Sequence, residues 1–226
     1  MSPAELRQLI TDRPPLFRRI VEFNCHLART ADVSHFGLDG HALAWGRLRT
    51  SRRAERRLSR WLIQSRNLSS EGFWEFQVES RRLALLSGGS LQKLIHFIGA
   101  AIYRTEITQS IDRRIVDQVK QSAGEDAYTF AIKRAQFVMK SWSPTPAAGS
   151  FATDPQQQIL IAGKQAVEAC LAGEDLKLIQ RVNLKLPPAY ALEVPSQRDA
   201  SFEDRWAVVK RILVTEVDPE FRTCFN

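Results

Sequence analysis

Residues Leu83–Met139 read LALLSGGSLQKLIHFIGAAIYRTEITQSIDRRIVDQVKQSAGEDAYTFAIKRAQFVM, and the spacing of their apolar side chains decides the fold class. Leu91, Leu94, Ile95, Ile98 and Ile102 recur at steps of three and four, the period of one helical face. Ile107, Ile111, Ile115 and Val119 recur every four residues and predict a second helix. Tyr128, Ala131, Ile132, Ala135 and Met139 predict a third. Ser87-Gly88-Gly89-Ser90 breaks the chain before the first helix, with Ser90 as its expected N-cap. Gly124 is expected to close the second, because glycine enters the left-handed cap conformation without a Cβ clash. Glu125 and Asp126 then place negative charge on the positive end of the third. The pattern is that of a packed helical core, with no catalytic signature in it.

Working outward, the chain before this core predicts further helices. Ser2 is placed to cap a first one, which Pro14-Pro15 interrupts. A second, from Pro15 to Ala28, carries Leu16, Ile20, Phe23 and Leu27 on one face. The polar segment Thr30–Gly40 leads to a short helix starting at Asp39 or Gly40 and including Leu43 and Trp45. An arginine-rich helix follows, its apolar side expected at Ala54, Leu58, Trp61 and Leu62. Ser70–Leu86 predicts another helix, with Phe73, Trp74, Phe76, Leu83 and Leu86.

Beyond the core, SWSPTPAAGSFATDP has the Pro, Gly, Ser and Thr content of a linker. Asp154-Pro155 opens a helix with an acid at the N-cap and proline at the first helical position. That helix carries Ile159, Ala162, Ala166, Val167 and Cys170 and stops by Gly173. Leu176–Leu184 predicts a turn-and-helix unit ended by Pro187-Pro188. Phe202–Glu216 predicts a last helix with Trp206, Val209, Ile212 and Leu213 inward, stopped by Pro219. There is no fixed-period repeat and no alternating strand set, only short extended pieces expected near Tyr190–Val194. The expected fold is mainly α: a multi-helix globular core over residues 1–140, a linker over 141–154, and a smaller helical C-terminal part over 155–226 packed on the core.

With 226 residues, 44% of them hydrophobic and 25% charged, the chain buries a core of ordinary globular proportions. Cys25, Cys170 and Cys224 are odd in number and far apart, which predicts free thiols in a reducing cytoplasm and not a disulfide framework. The N-terminal residues carry charges where a signal peptide needs an apolar run, and no window has the apolar length of a membrane span. The expectation is a soluble intracellular protein that does not insert into the membrane.

Motifs for catalysis are absent: no HExxH, Walker loop, GxSxG or dinucleotide fingerprint occurs. Ser87–Ser90 lacks the lysine-serine context of a phosphate loop and reads as a helix boundary. His26, His35, His41 and His96 do not fall at ligand spacings with cysteines or acids. His96, between Ile95 and Phe97, reads as a hydrogen-bonded packing residue. His35 and His41 flank a loop, but two histidines make a weak metal signal. No catalytic residue, metal site or cofactor is expected.

The charge is local. Residues Arg47–Arg60, RLRTSRRAERRLSR, hold seven arginines against Glu55 alone and so account for six of the chain's net +7. Arg52, Arg56 and Arg60 form one stripe; Arg49, Arg53 and Arg57 form another. Three readings compete. The arginines are solvated or paired within the chain, with Glu71, Glu75 and Glu79 as the expected carboxylates; they meet an acidic protein partner; or they bind a nucleic-acid backbone. Only Trp45 and Trp61 supply nearby aromatics, and no Asn or Gln pattern for base edges accompanies the arginines.

Several phrases are similar to a known family. GEDAYTFAIKRAQFV, residues 124–138, resembles its late core helix, and LKLIQRVNLKLPP, residues 176–188, resembles its phrase ending Leu-Lys-Leu-Pro. SGGSLQKLIHFIGAAIYRTEI fits the helix preceding them. Together they resemble the YscK/SctK group of bacterial type III secretion accessory proteins, over roughly Leu83–Pro188. RAQF departs from the expected Arg-Ala-Pro, and the arginine-rich helix has no assigned counterpart. The resemblance implies a non-enzymatic cytoplasmic adaptor of the sorting platform, at the cytoplasmic face of the inner membrane. It would link the cytoplasmic domain of the inner-membrane ring protein to the pod protein, which carries the stator and the ATPase. The alternative is a helical nucleic-acid-binding regulator that uses Arg47–Arg60.

Overall fold

The second helix starts at Pro14, one residue before the expected Pro15, and the expected run to Ala28 is broken at His26 (φ −120°, ψ 45°), which separates a helix ending at Cys25 from a short one starting at Leu27. The structure, a computed structural model, describes residues 3–36, 47–48, 51–144 and 151–225. Its α-helices are α1 (Pro3–Asp12), α2 (Pro14–Cys25), α3 (Leu27–Thr30), α4 (Arg52–Ser65), α5 (Gly88–Ile102), α6 (Arg104–Gln109), α7 (Arg113–Ala123), α8 (Glu125–Lys133), α9 (Ala135–Val138), α10 (Pro155–Cys170), α11 (Leu176–Asn183) and α12 (Phe202–Ile212). Among the described residues there is no strand, so the mainly α expectation holds. The expected Ser2 cap, the helix with Leu43 and Trp45, and residues 145–150 of the linker lie outside the described residues.

The chain divides into two compact units, each discontinuous in sequence: Met1–Gly88 with Glu174–Leu192 and Arg222–Asn226, and Gly89–Gly173 with Glu193–Phe221. These units cut across the expected segments 1–140 and 155–226, each of which contributes to both. The ends of the expected linker are not loose, since Trp142 and Phe151 are both buried. Phe151 stacks on Tyr103 with ring centroids 4.8 Å apart.

The second unit is built on a close approach of α5 and α10. A Cβ at Gly99 would run into the carbonyl oxygen of Ile159, and a Cβ at Gly163 into the carbonyl oxygen of Ile95. The two glycines thus let each backbone touch the other, with Leu94, Ile95, Ile98, Ile159 and Val167 fully buried around the crossing. α7 and α12 pack on α10. The sequence signals at its start are met: Asp154 accepts a hydrogen bond from the Gln157 amide at 2.9 Å, with Pro155 in the first turn.

Three sequence expectations in this unit need correction. Helix α5 begins at Gly88, so Ser90 lies inside its first turn and is not the cap. The predicted Ile107–Val119 helix is broken at residues 110–112. Asp112 accepts from the Arg114 amide at 2.9 Å and starts α7 afresh, which leaves Ile111 99% exposed instead of in the core. The third helix also bends, at Arg134, whose φ of −126° ends α8. Ala131, Ala135 and Met139 are buried as expected, but Ile132 is exposed. Gly124 does close α7, but at φ +91° and ψ 156° it is extended and not in the expected left-handed helical conformation; only glycine occupies that region freely.

In the first unit the largest departure is residues 70–86, expected as one helix. Residues 70–78 form neither helix nor strand, and only Glu79–Leu85 coil, as a 3-10 helix. Where this irregular backbone is buried, at Phe73 and Phe76, it must find hydrogen-bond partners elsewhere. Here side chains supply them. Asn24 pairs with both backbone groups of Phe73. Arg82 donates to the carbonyls of Phe76, Gln77 and Cys224, at 3.0, 3.2 and 3.0 Å. Arg181, only 2% exposed, donates to those of Ser69 and Glu71 at 3.0 and 3.3 Å and to that of Asn24 at 3.4 Å. Lys185 donates to those of Ala84 and Leu86 at 2.8 and 2.9 Å, its Nζ also 4.8 Å from the Phe23 ring centroid. Phe73 and Phe76 are still buried, edge-on to one another at 5.3 Å, so their apolar signal was read correctly and their backbone was not.

Candidate docking face on the arginine-rich helix

Helix α4 ends in a Schellman motif. Asn67 takes φ +48°, and the Leu68 amide donates back to the Ile63 carbonyl at 2.9 Å. Leu68 then joins a buried cluster with Leu27, Ala28, Ala31, Leu62 and Leu184, on which Leu58 and Ile63 also pack.

The rotation of α4 is set by a polar seam that the apolar pattern missed. Glu55, the lone acid of the basic run, is 1% exposed and faces inward. Its Oε1 accepts from the Ser59 hydroxyl at 2.9 Å, and that hydroxyl accepts from the Ala28 amide at 3.0 Å. Its Oε2 lies 3.3 Å from His26 Nδ1. Glu55, Ser59 and Leu62 fall four and three residues apart on one stripe, a spacing visible in the sequence, where nothing marks an acid as belonging to the buried side. The helix is therefore turned away from the expected apolar side. Leu62 is fully buried and Leu58 half-buried, while Trp61 is 45% exposed and stacked on Phe36 at 5.7 Å.

This rotation points Arg53, Arg56, Arg57 and Arg60 to solvent. The side chains of Arg49 and Arg52, the other two expected members of the face, lie outside the described residues. Among the described residues, Arg53, Arg56, Arg57 and Arg60 do not make the intramolecular pairs expected with Glu71, Glu75 and Glu79. Glu71 pairs with Lys177 at 3.1 Å, and Glu75 with Arg81 at 3.4 Å. Arg81 is also 2.6 Å from Glu174. Glu79 lies close enough to Arg82 to offset part of its burial penalty. Among the described residues, no carboxylate pairs with Arg53, Arg56, Arg57 or Arg60.

Among the described residues, no three His, Cys, Asp or Glu side chains converge on a point. His35 Nε2 sits 3.1 and 3.0 Å from the Asn183 and Leu186 carbonyls, so this nitrogen serves as a donor and not as a ligand; His41 is outside the described residues. His96 is partly buried, which lowers its pKa and disfavours its charged form. Burial pushes the Cys170 thiol up to about 12, far from a reactive thiolate. A groove of about 600 Å³ in the first unit is lined by Leu9, Leu16, Ile20, Trp74 and Phe76, with Glu5, Asp12 and Glu79 around it and, among the described residues, no Ser, Cys, His or Lys. Those described residues bring no nucleophile and base within reach of each other.

The family model for YOP proteins translocation protein K (YscK) matches residues 37–225, a span that contains both α4 and the Leu83–Pro188 phrases. No curated protein and no solved structure matches the chain significantly.

Proposed function

The chain belongs to the YscK family and has a role in type III secretion; from that premise we propose that it is a non-enzymatic adaptor of the sorting platform. In this reading it works at the cytoplasmic face of the inner membrane. It links the cytoplasmic domain of the inner-membrane ring protein to the pod protein, and through the pod to the stator and the ATPase.

The observation that carries this reading is the family match over residues 37–225. The architecture agrees with it. Within each unit, packed helices with buried polar seams present fixed surface faces, which suits a linking protein. Among the described residues, no helix is long and apolar enough to cross a membrane, so attachment to the ring would be through protein contact.

The test is a chromosomal deletion scored for secretion, beside capture of the ring and pod proteins by the tagged full chain. Secretion should fail without the protein, and both partners should be retained on it. Normal secretion in the deletion strain, or capture of neither partner, would sink the adaptor reading.

A further inference from the structure

We propose that the outward face of α4, formed by Arg53, Arg56, Arg57 and Arg60, is a docking surface for an acidic α-helix of a platform protein. The proposal rests on the adaptor reading for the identity of the partner, and on the geometry of α4 for its chemistry.

Four observations lead there. The face is fixed, because Glu55, Ser59 and Leu62 lock the opposite side of the helix to residues 26–31. It is available, because Glu71 and Glu75 are paired elsewhere and no described carboxylate meets these arginines. It is regular, because Arg53 and Arg57, like Arg56 and Arg60, are one turn apart, and Arg53 to Arg60 spans about 10 Å at 1.5 Å rise per residue. It is built from arginine without lysine, and the guanidinium fork matches a carboxylate through two parallel hydrogen bonds. Carboxylates repeating every turn on a neighbouring helix meet that ladder in register.

The same geometry argues against the other anionic occupants. A basic helix held at a lipid surface inserts its apolar face below the headgroups. Here Leu58, Leu62 and Ile63 are already packed on the Leu27–Ala31 cluster, so that face is taken. Single-stranded nucleic acid needs free aromatic faces for its bases. Trp61, the one exposed aromatic of α4, has a face covered by Phe36, with the rings 25° from parallel. Sequence-specific duplex recognition combines arginine with Asn, Gln or Ser for base edges, and beside the arginines α4 exposes such groups only at its C-terminal end, at Gln64 and Ser65.

The experiment titrates the full chain with a labelled helical peptide carrying Glu at every turn, at physiological salt. The same peptide with Gln in place of Glu, a duplex DNA and vesicles of phosphatidylglycerol serve as parallel probes. The Glu peptide should bind and the Gln peptide should not. Arg53→Glu with Arg57→Glu should weaken binding by roughly tenfold or more, mostly through a slower on-rate. Circular dichroism and melting temperature verify the fold of that variant, and Arg53→Ala with Arg57→Ala provides a milder one. Equal binding of the Glu and Gln peptides, unchanged binding by both variants, or preferential binding of DNA or vesicles would overturn the proposal. In cells, the double-Glu variant should lose one platform partner and keep the other. A wild-type chain that captures neither partner refutes the adaptor reading alone, because the peptide titration judges the docking face independently.

Discussion

Asn24 pairs with both backbone groups of Phe73: its Oδ1 accepts from the Phe73 amide at 2.8 Å, and its Nδ2 donates to the Phe73 carbonyl at 2.7 Å. One side chain on α2 thus does for the irregular segment what a neighbouring strand does in a sheet. Asn24 also donates to the Ile20 carbonyl at 3.1 Å, which ties the arrangement to its own helix.

Replacing Asn24 by Asp keeps the shape but removes the donor and sets a carboxylate against the Phe73 carbonyl. We expect a loss of about 1–3 kcal/mol, the usual cost of an unsatisfied buried polar group. Urea unfolding measures the loss, and hydrogen exchange at the Phe73 amide should accelerate. An unchanged midpoint would show that residues 70–78 are held by other means.

Ile98 and Ile111 belong to the same apolar pattern but have opposite fates. Ile98 is fully buried, whereas Ile111 is 99% exposed at the break before α7. Ile98→Asp should unfold or aggregate the protein, because a charge buried without a partner is far more costly than a lost methyl group. Ile111→Asp should change stability by no more than about 0.5 kcal/mol, as surface substitutions do. Thermal melts of the two variants decide; a severe loss at Ile111 would mean that the helix runs unbroken and buries it.

Gly99→Ala and Gly163→Ala each place a methyl group against a backbone carbonyl that no rotamer change can move. Each should cost about 1–3 kcal/mol or more through overpacking. The double variant should cost less than the sum, because separating α5 from α10 relieves both clashes at once. A double-mutant cycle read from chemical denaturation tests this, and strict additivity would contradict a shared crossing.

Lys185 ties stability to pH. Burial lowers its pKa from 10.5 to about 7, with Glu22 nearby opposing the shift and Arg19 adding to it. Below pH 7 the group is protonated in both states, and the folded protein bears the full cost of a buried ammonium. Between pH 7 and the unfolded value the unfolded chain binds more protons, so stability rises with pH across that window. Lys185→Met removes the titration, though it leaves the Ala84 and Leu86 carbonyls without their donor. Unfolding free energy measured from pH 7 to 10 should climb in the wild type and flatten in Lys185→Met. Equal slopes would place the titration on another group.

Features whose physical cause lies within a few residues could be read from the sequence alone. Asp154-Pro155 starts α10 because acid and proline act on the same turn, and Gly124 ends α7 because only its own φ is at stake. The fully apolar rows of α5 and α12 announced their burial, and the phrases in Leu83–Pro188 pointed to the family that the match over residues 37–225 shows. The local start of α7 at Asp112 was also there to be read, but an unbroken isoleucine period outweighed it. Tertiary structure alone decided the path of residues 70–78. Their backbone is satisfied by Asn24 and Arg181, which lie tens of residues or more away along the chain, and by Arg82. No local propensity reports a partner so distant. The same holds for the arginine face. Composition located its charge, but which arginines reach solvent depends on a buried Glu55 that bonds to Ser59 and thereby to the Ala28 amide, 31 residues before that serine. A hydrophobic period cannot show that rotation, because the group that fixes it is an acid.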